Sequence, residues 1–591
     1  MPLAPIDWLI IVAYFAVALG VGLVYRKRAG SSVAEFFLSG RSLPWWIAGT
    51  SMVATSFAAD TPLAVTALVA RHGVAGNWFW WSFALGGMVV VFVYARLWRR
   101  ADVMTDVELV EMRYAGKPAA FLRGFRSLYI ALLVNSIIVG WVTAAMLKVL
   151  KFTVFSGTEA SSGTSDWLII LVLFAVVGLY STLSGLWGVV VTDFIQFIVA
   201  MAGSILFAYY CVRHAGGLDA LRASLTTGYE GGEQILRFVP DFSAAEPWMP
   251  LNIFLIMLFV QWWASWYPGS EPGGGGSTVQ RMASCRSERD SLLATLWFQL
   301  AHYCLRPWPW LLVALTALAT YPELRSLPDP GVGYPMLIRD IAPAGLKGVM
   351  LVTFFAAFMS TISTQVNWAA SYLVGDFYKR FLRPDADERR LTRVSRIATI
   401  VVMVVCAGAA WIMRGVAVDE AWKFLAALGA GTGAVFMLRW FWWRINAWSE
   451  ITAMIASLVF FIIVSRYVEA NEHRLAVVAL LTIITWLAAT FATSPERDAT
   501  LDTFYARIRP GGGGWKPVAA RNPDVAVDEH LGASVVAAFL ATAVVYLTIP
   551  GVGFALFGEY GRALLALGGA ATCAAITYRL VHRIGWERVT R

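Results

Sequence analysis

Apolar runs of about 20 residues recur from one end of this chain to the other, and they constrain its fold more than any other feature. Each run is long enough to cross the hydrocarbon core of a bilayer as a helix. The runs are continuously apolar, whereas the strands of outer-membrane barrels alternate apolar and polar residues over short segments. The sequence therefore predicts an all-α integral membrane protein that lies in the lipid bilayer, with about 15 transmembrane helices.

The few charged residues indicate how the chain is oriented in the membrane. Only 14% of the 591 residues are charged, whereas 58% are hydrophobic. A net charge of +9 would suggest nucleic acid for a soluble domain, but here the basic residues gather at alternate ends of the apolar runs, as in "RKR" from Arg26 and "KRFLRPDADERRLTRVSR" from Lys379. Because basic residues favour the cytoplasmic side, we expect the amino terminus outside the cell (inner or plasma) membrane, the carboxy terminus in the cytoplasm, and no nucleic-acid partner.

Two of the apolar runs contain residues that interrupt helices. The second run, over about 43–71, reads "GTSMVATSFAADTP" in its middle. The seventh run, over about 249–280, reads "YPGSEPGGGGS", in which Pro268 and Gly269 precede four consecutive glycines. Both runs are predicted to form broken helices. Interrupted spans at matching positions of two halves are the best sequence indication of a substrate site in a secondary transporter.

The spacing of the two broken helices predicts an internal repeat. Five spans separate their starts, and a unit with an odd number of spans places the next unit in the opposite orientation. We therefore predict two inverted five-helix repeats, over 43–212 and 249–445. A flanking span over 1–42 precedes them, and further flanking spans over 446–591 follow.

The four glycines of the seventh run are expected to line a cavity. Bare backbone N–H and C=O groups are costly in lipid, so non-helical chain at membrane depth is tolerated only where protein covers it or where it lines a cavity. Glycine also lets the backbone approach a solute closely. A carboxylate inside a span is by default a functional residue. The sequence therefore predicts that Glu271, Gly274 and Gly275 contribute to solute binding.

At these residues the chain resembles the sodium:solute symporter family, which includes sodium-coupled sugar, proline and sialic-acid carriers. The likeness is carried by "EFFLSGRSLPWWIAGTSMVATSF" from Glu35, "SGLWGVVVTDFIQF" from Ser184 and "PAGLKGVMLVTFFAAFMSTISTQ" from Pro343. Together with the pattern of spans, the resemblance extends from residue 1 to about residue 490. It implies a LeuT-type bundle of five plus five inverted helices with additional flanking spans.

The resemblance also implies where a sodium ion binds, between the first and the eighth core helices. Its ligands in this chain would be the carbonyls of Ala54, Phe57 and Ala357 and the hydroxyls of Ser360 and Thr361. The residue types agree, because a hard cation prefers oxygen ligands and positions i, i+3 and i+4 share one helix face. Hydroxyls inside helices also commonly bond to the carbonyl four residues earlier, so a purely local role stays open.

Asp193, in "VTDFIQ", matches a family position near the cytoplasmic exit of the ion. An ionisable residue inside a span indicates function by default. The alternative is that Asp193 forms a structural salt bridge with a neighbouring Arg. The resemblance therefore implies that Asp193 lies on the path of the ion, and a pairing role is kept beside it.

Four further residues are candidates for solute binding. Asp60 and Thr61 match positions that hold polar sugar ligands in galactose carriers, but Trp80 stands where those carriers have a carboxylate, so sugar specificity does not follow. Trp80 and Trp263 belong to Trp-rich stretches that could form an aromatic wall against a sugar ring or an organic cation. The alternative for such Trp residues is packing or a place at the membrane interface.

We therefore expect a sodium-driven symporter that imports a small polar organic solute, such as a sugar, an amino acid or a related compound, with Na⁺ as the coupling ion. Proton coupling through Asp60, Glu271 or Asp193 is the alternative within transport. A transport-fold receptor or sensor is the alternative of another class. An enzyme is not expected, because the six His and five Cys residues show no metal-like or catalytic spacing.

Overall fold

The computed structural model describes residues 3–29, 33–155, 163–243, 247, 249–265, 271–527 and 530–584. These residues form helices joined by turns, and the only strand-like pairing among them is an isolated β-bridge between Leu43 and Cys285. Helices satisfy their backbone hydrogen bonds within one segment, which is what a chain in lipid requires. The predicted all-α fold is confirmed for the described part of the chain.

Eighteen helices, numbered here α1 to α18, make up the main body of the fold. They are α1 (Pro5–Ala29), α2 (Trp45–Ser56), α3 (Thr61–His72), α4 (Val74–Ala101), α5 (Gly116–Thr153), α6 (Gly163–His214), α7 (Leu251–Ala264), α8 (Gly276–Ser284), α9 (Glu288–Leu300), α10 (Pro307–Thr320), α11 (Leu346–Leu382), α12 (Glu388–Met413), α13 (Val418–Leu428), α14 (Thr432–Leu438), α15 (Ala447–Val464), α16 (Asn471–Ala492), α17 (Leu531–Leu556) and α18 (Tyr560–Ile584). Shorter helices lie in the connections, among them Val33–Leu38, Leu218–Gly228, Gly333–Ile341 and Asp498–Ile508.

The predicted number of about 15 spans stays a prediction. Within the described residues, 9 helices are long and apolar enough to cross a membrane, or up to 11 when each of two bent helix pairs is taken as one span. This count is lower than 15 partly because predicted spans are divided into pieces that are individually too short for one crossing. Helices α8, α9 and α10 have 9, 13 and 14 residues.

Helix α6 covers two spans that the sequence predicts separately, over about 166–183 and 186–212. It is assigned as helix continuously over 52 residues, about 78 Å at 1.5 Å per residue. That length is more than twice the hydrocarbon core of about 30 Å. Its second part, Leu186–His214, is long and apolar enough for one crossing.

The second predicted span is a broken helix, as expected. Helix α2 ends at Ser56, α3 begins at Thr61, and the two helices are bent by 55° relative to each other. Pro62 lies in the first turn of α3, where its missing N–H removes no helical hydrogen bond. The non-helical segment 57–60 therefore separates two stable half-helices.

The seventh predicted span is also divided. Helix α7 ends at Ala264 and α8 begins at Gly276, and residues 271–275 between them are non-helical. Pro268 and Gly269, which the sequence predicts as part of this break, lie outside the described residues.

A third break, between α13 and α14, is not among the predicted ones. These helices are bent by 58° around residues 429–431. Gly431 has a φ of +89°, a conformation that favours glycine, and its N–H donates to the Ala264 carbonyl at 2.8 Å. The break therefore docks on the end of α7. The glycine-rich sequence "LGAGTG" is the signal that could have indicated it.

Helix α11 is the element around which the candidate site forms. It packs against α1, α2 and α6, while α2 also packs against α6 and α9. The break after α2 consequently lies inside the bundle, facing α11, and its free backbone groups meet protein instead of lipid.

Candidate functional site

A cluster of buried oxygens lies where the end of α2 meets the middle of α11. The Ser360 hydroxyl donates to the carbonyls of Ala54 at 3.0 Å and Ala357 at 3.1 Å. The Thr361 hydroxyl donates to the carbonyls of Thr55 at 2.8 Å and Ala357 at 3.0 Å. The last carbonyls of a helix have no partner within it, so the end of α2 at Ser56 makes oxygens available to α11. We call these five residues the ion cluster.

The ion cluster suits a small hard cation. All its donor atoms are backbone carbonyl or hydroxyl oxygens, the ligand type that such cations prefer. Ala54, Ala357, Ser360 and Thr361 are four of the five predicted sodium ligands, and the structure brings them together. The Thr55 carbonyl was not predicted as part of this cluster, because the direction in which it points depends on how α2 ends.

The fifth predicted ligand, Phe57, sits directly after α2. Its N–H donates to the carbonyls of Val53 at 2.9 Å and Ala54 at 3.1 Å, and its ring packs edge-on against Trp310 with centroids 4.8 Å apart. The contacts described for Phe57 do not include its carbonyl, so the role of that carbonyl as a ligand stays a prediction.

A second buried polar network adjoins the ion cluster. Asp193 of α6 accepts a hydrogen bond from the Ser51 hydroxyl at 2.5 Å and lies 3.7 Å from the Arg281 guanidinium of α8. Arg281 also donates to the Thr364 hydroxyl at 2.6 Å, and that hydroxyl accepts from Thr55 at 3.1 Å. The network therefore connects α2, α6, α8 and α11.

Arg281 is the functional candidate that the sequence reasoning missed. The sequence presents it among the basic residues that report topology, yet only 1% of its side chain is exposed. An arginine close behind an interrupted apolar run could have indicated this position. The salt bridge of Asp193 with Arg281 is the alternative that the sequence left open for Asp193, and it does not exclude a place on the ion path.

A small cavity of about 40 Å³ lies beside the ion cluster and holds two of the predicted solute residues, Asp60 and Thr61. Asp60 is 2% exposed, and one of its oxygens accepts a hydrogen bond from the Trp422 indole of α13 at 2.8 Å. The cavity is lined by Thr55, Ser56, Ala58, Asp60, Thr61, Ile138, Trp141, Val142, Thr361, Gln365 and Trp422. We call it the Asp60 cavity. Because Thr55 and Thr361 belong both to it and to the ion cluster, the two are contiguous.

A second cavity, of about 80 Å³, contains Glu271, Gly274 and Gly275, the predicted solute residues of the seventh span. We call it the Glu271 cavity. Its other polar lining residues include Asp106 and Arg126. The sequence predicts one solute site from all these residues, whereas the structure divides them between two cavities, because the breaks of the two helices open toward different parts of the bundle.

The Glu271 cavity is lined by compensated charges. Arg126 and Arg439 both contact the Glu450 carboxylate, at 2.9 and 3.1 Å, and Arg126 lies 3.7 Å from Asp106. These side chains are almost completely buried, so each charge depends on its partners. The network fixes the ends of α5, α14 and α15 around the non-helical segment 271–275.

Gly274 has a specific structural reason to be glycine. Its φ is +82°, and a Cβ built there would lie 2.6 Å from the indole nitrogen of Trp98. That nitrogen donates to the Gly273 carbonyl at 2.7 Å. The glycine segment is therefore clamped against α4 by a tryptophan, and it lines a cavity at the same time.

Trp80 and Trp263 are not among the described residues that line either cavity. The Trp80 indole donates to Asn77 at 2.9 Å and stacks on Tyr303, with ring centroids 5.7 Å apart. The Trp263 indole donates to the Phe259 carbonyl of its own helix at 2.7 Å. A direct contact of these two residues with a solute stays a prediction.

A broken helix whose end meets the middle of another helix at a cluster of buried oxygens, beside polar cavities inside an all-α bundle, is typical of a secondary transporter of the LeuT-type fold. The model of the sodium:solute symporter family matches residues 36–459. The chain belongs to this family.

Relatives and a solved structure agree with this assignment. The sodium/glucose cotransporter of Vibrio parahaemolyticus is 26% identical over 478 residues, which cover 77% of this chain and 84% of the relative. The sodium/mannose cotransporter of Bos taurus is 24% identical over 492 residues, covering 77% and 78%. The fold is similar to that of a Na⁺-coupled sialic acid symporter, with a TM-score of 0.66 at 20% identity, covering 84% of this chain and 99% of the other.

These findings confirm the predicted family and the LeuT-type fold class. The chain is a multi-pass membrane transporter for sodium-coupled solute symport, and it is not an enzyme. The bounds of the two repeats and the orientation of the termini stay predictions.

Proposed function

We propose that this protein imports a small polar organic solute together with sodium, by alternating access, and that the ion binds in the ion cluster. The convergence of oxygens from α2 and α11 carries the proposal. Further support comes from the relatives, which are named for the cotransport of sodium with glucose or mannose. Sugars, amino acids and related compounds are the solutes considered.

In this proposal the ligands are four groups of the ion cluster, the carbonyls of Ala54 and Ala357 and the hydroxyls of Ser360 and Thr361, together with the carbonyl of Phe57 directly after α2. Each of the two hydroxyls donates to a carbonyl of α2 and to one of α11. A hydroxyl hydrogen can rotate while the oxygen keeps its lone pairs, so sodium can replace the hydrogens between the same oxygens. The bound ion would then hold the broken helix against α11. Alternating access moves one part of the bundle relative to the other, so a contact of this kind can be coupled to the transport cycle.

The two cavities support a path for the solute. Residues 126–134 of α5 line the Glu271 cavity and residues 138–142 line the Asp60 cavity, so the two lie at different levels along this helix. With the amino terminus outside, as we propose, the Asp60 cavity is the outer one. We infer that the solute binds first at Asp60 and Thr61, next to the ion, and leaves past Glu271, Gly274 and Gly275. Asp193 would lie on the exit path of sodium, where Arg281 holds it in the present conformation.

The test uses the full-length chain purified into proteoliposomes, with radiolabelled sugars, amino acids and amines offered under an imposed gradient. We expect an inward sodium gradient to drive accumulation and an equal potassium gradient to fail. Accumulation under a proton gradient without sodium would replace the ion assignment with proton coupling. Equal uptake under all three gradients would remove ion coupling from the proposal.

A further inference from the structure

The Asp60 cavity presents hydrogen-bond acceptors that no described residue satisfies. Asp60 and Gln365 line it and are 2% and 4% exposed. Within the described part of the chain, Asp60 Oδ1 and Gln365 Oε1 have no hydrogen-bond partner. Buried acceptors are normally paired, because leaving one without a donor destabilises the fold. Two such oxygens in one cavity are acceptors that a bound solute or a water can satisfy.

The charge of the cavity points to the kind of donor. Asp60 forms no salt bridge with a described Lys or Arg side chain. One of its oxygens accepts from the Trp422 indole at 2.8 Å, the neutral Trp141 indole is a further hydrogen-bonding neighbour, and the positive charge of Arg306 acts on Asp60 without direct contact. Arg306, the basic residue beside this break, donates to the Val53 carbonyl at 3.1 Å and the Ser56 hydroxyl at 2.9 Å. A buried carboxylate is strongly stabilised by a cation that also hydrogen-bonds to it.

The walls of the cavity favour an organic cation over a second metal ion. Two indole rings, Trp141 and Trp422, line it together with the aliphatic side chains of Ile138 and Val142. Indole faces attract organic ammonium groups and pack against carbon. A bare cation such as sodium needs a shell of several oxygens, and the ion cluster next to the cavity supplies one.

We propose that the transported solute carries a cationic amino group, and that Asp60 binds this group. Gln365 accepts a further hydrogen bond from the solute, and the rings of Trp141 and Trp422 contact its carbon frame. The inference rests on the proposed sodium-coupled symport and names the solute class for that same site. Because Thr361 belongs both to this cavity and to the ion cluster, the binding of the solute and that of sodium are coupled.

The first experiment compares compounds that differ only in the amino group. Proteoliposomes containing the full-length chain are given a sodium gradient and radiolabelled glucosamine, N-acetylglucosamine, glucose, L-alanine, L-lactate or ethanolamine. We expect sodium-driven uptake only of compounds with a free ammonium group. Sodium-driven uptake of glucose, N-acetylglucosamine or lactate at a rate equal to or higher than that of the ammonium compounds refutes the inference and leaves symport intact. Uptake that is independent of the sodium gradient refutes the proposed function itself.

The second experiment removes the charge and keeps the shape. Asp60→Asn retains an oxygen that can accept from Trp422 but loses the negative charge. Because the ammonium group then has no counter-charge, we expect the affinity for the ammonium solute to fall roughly ten- to a hundredfold. Sodium binding measured without solute is expected to weaken by a smaller factor than solute binding, because the charge lost is near the ion but is not one of its ligands. Gln365→Met, which removes one acceptor at similar volume, is expected to weaken solute binding by a smaller factor. The control is Asp498→Asn, the same chemical change at an exposed side chain paired with Arg521.

Each result of this series supports or overturns the inference. An Asp60→Asn variant with native solute affinity, or one in which only the sodium affinity falls, shows that the carboxylate does not bind the amino group. If Asp60→Asn does not fold, Gln365→Met and the comparison of ammonium with neutral compounds on the native chain decide the question.

Discussion

Removing the two hydroxyl groups of the ion cluster tests the sodium site most directly. In Ser360→Ala and Thr361→Val, one oxygen is lost from the cluster and the helix keeps its packing volume almost unchanged. Each hydroxyl lies 2.8 to 3.1 Å from two carbonyl oxygens. A sodium ion placed among these oxygens would therefore lose one of about five ligands in either variant.

The size of the effect follows from the charge of the ion. A lost interaction with a charged group costs about 1.5–3 kcal/mol, which corresponds to a roughly ten- to hundredfold weaker sodium affinity. Because solute and sodium binding are coupled, the solute affinity at low sodium should fall as well and recover at saturating sodium.

Sodium titrations of the purified variants measure this, with tryptophan fluorescence or thermal stability as the readout and choline replacing sodium to hold ionic strength. The matched control is Ser363→Ala. The Ser363 hydroxyl donates to the Ser360 carbonyl of its own helix at 3.2 Å, so its removal should leave the sodium midpoint nearly unchanged. If Ser363→Ala is as damaging as the other two, or if all three variants keep the native midpoint, the ion does not bind in this cluster.

Two further predictions concern the glycine segment and the buried arginine. Gly274→Ala should reduce both thermal stability and transport, because its Cβ would lie 2.6 Å from the Trp98 indole nitrogen and its backbone φ is +82°. The control is Gly408→Ala, which should be tolerated because a Cβ built there has nothing within 4 Å. Equal stability of the two variants would contradict the proposed contact between Trp98 and the glycine segment. Arg281→Gln should destabilise the protein by about 3–5 kcal/mol, since it leaves Asp193 buried without a counter-charge. The double variant with Asp193→Asn should recover part of that loss in chemical unfolding, and simple additivity of the two losses would show that the residues are not coupled.

Several features of the protein follow from local sequence alone. Long apolar runs can satisfy their backbone in lipid only as helices, so the membrane class and the all-α fold need no tertiary information. The break between α2 and α3 is likewise visible, because polar residues and Pro62 interrupt an apolar run. Ser360 and Thr361 could be placed on one face of α11 with Ala357 because the helical repeat fixes side-chain direction.

Other features depend on which helices meet, and no local pattern contains that information. Ser51 and Asp193 are 142 positions apart, and Asp60 and Trp422 are 362 positions apart. The sequence therefore could suggest a partner for Asp193 without identifying Arg281. The sequence also predicted a single solute site from the polar residues of the two broken helices, whereas in the structure these residues line two separate cavities.

The sequence by itself determined the membrane class and the two broken helices, and its resemblance to the sodium:solute symporter family indicated Ala357, Ser360 and Thr361 of α11 as candidate sodium ligands. The tertiary structure alone decided that the Thr55 carbonyl joins this cluster, that Arg281 pairs with Asp193, and that two indole rings enclose Asp60. The physical reason is the range of the interactions involved. Backbone hydrogen bonds and hydrophobic length act within one segment, whereas burying a polar group requires partners from helices far away in the sequence, and those are set by packing of the whole bundle.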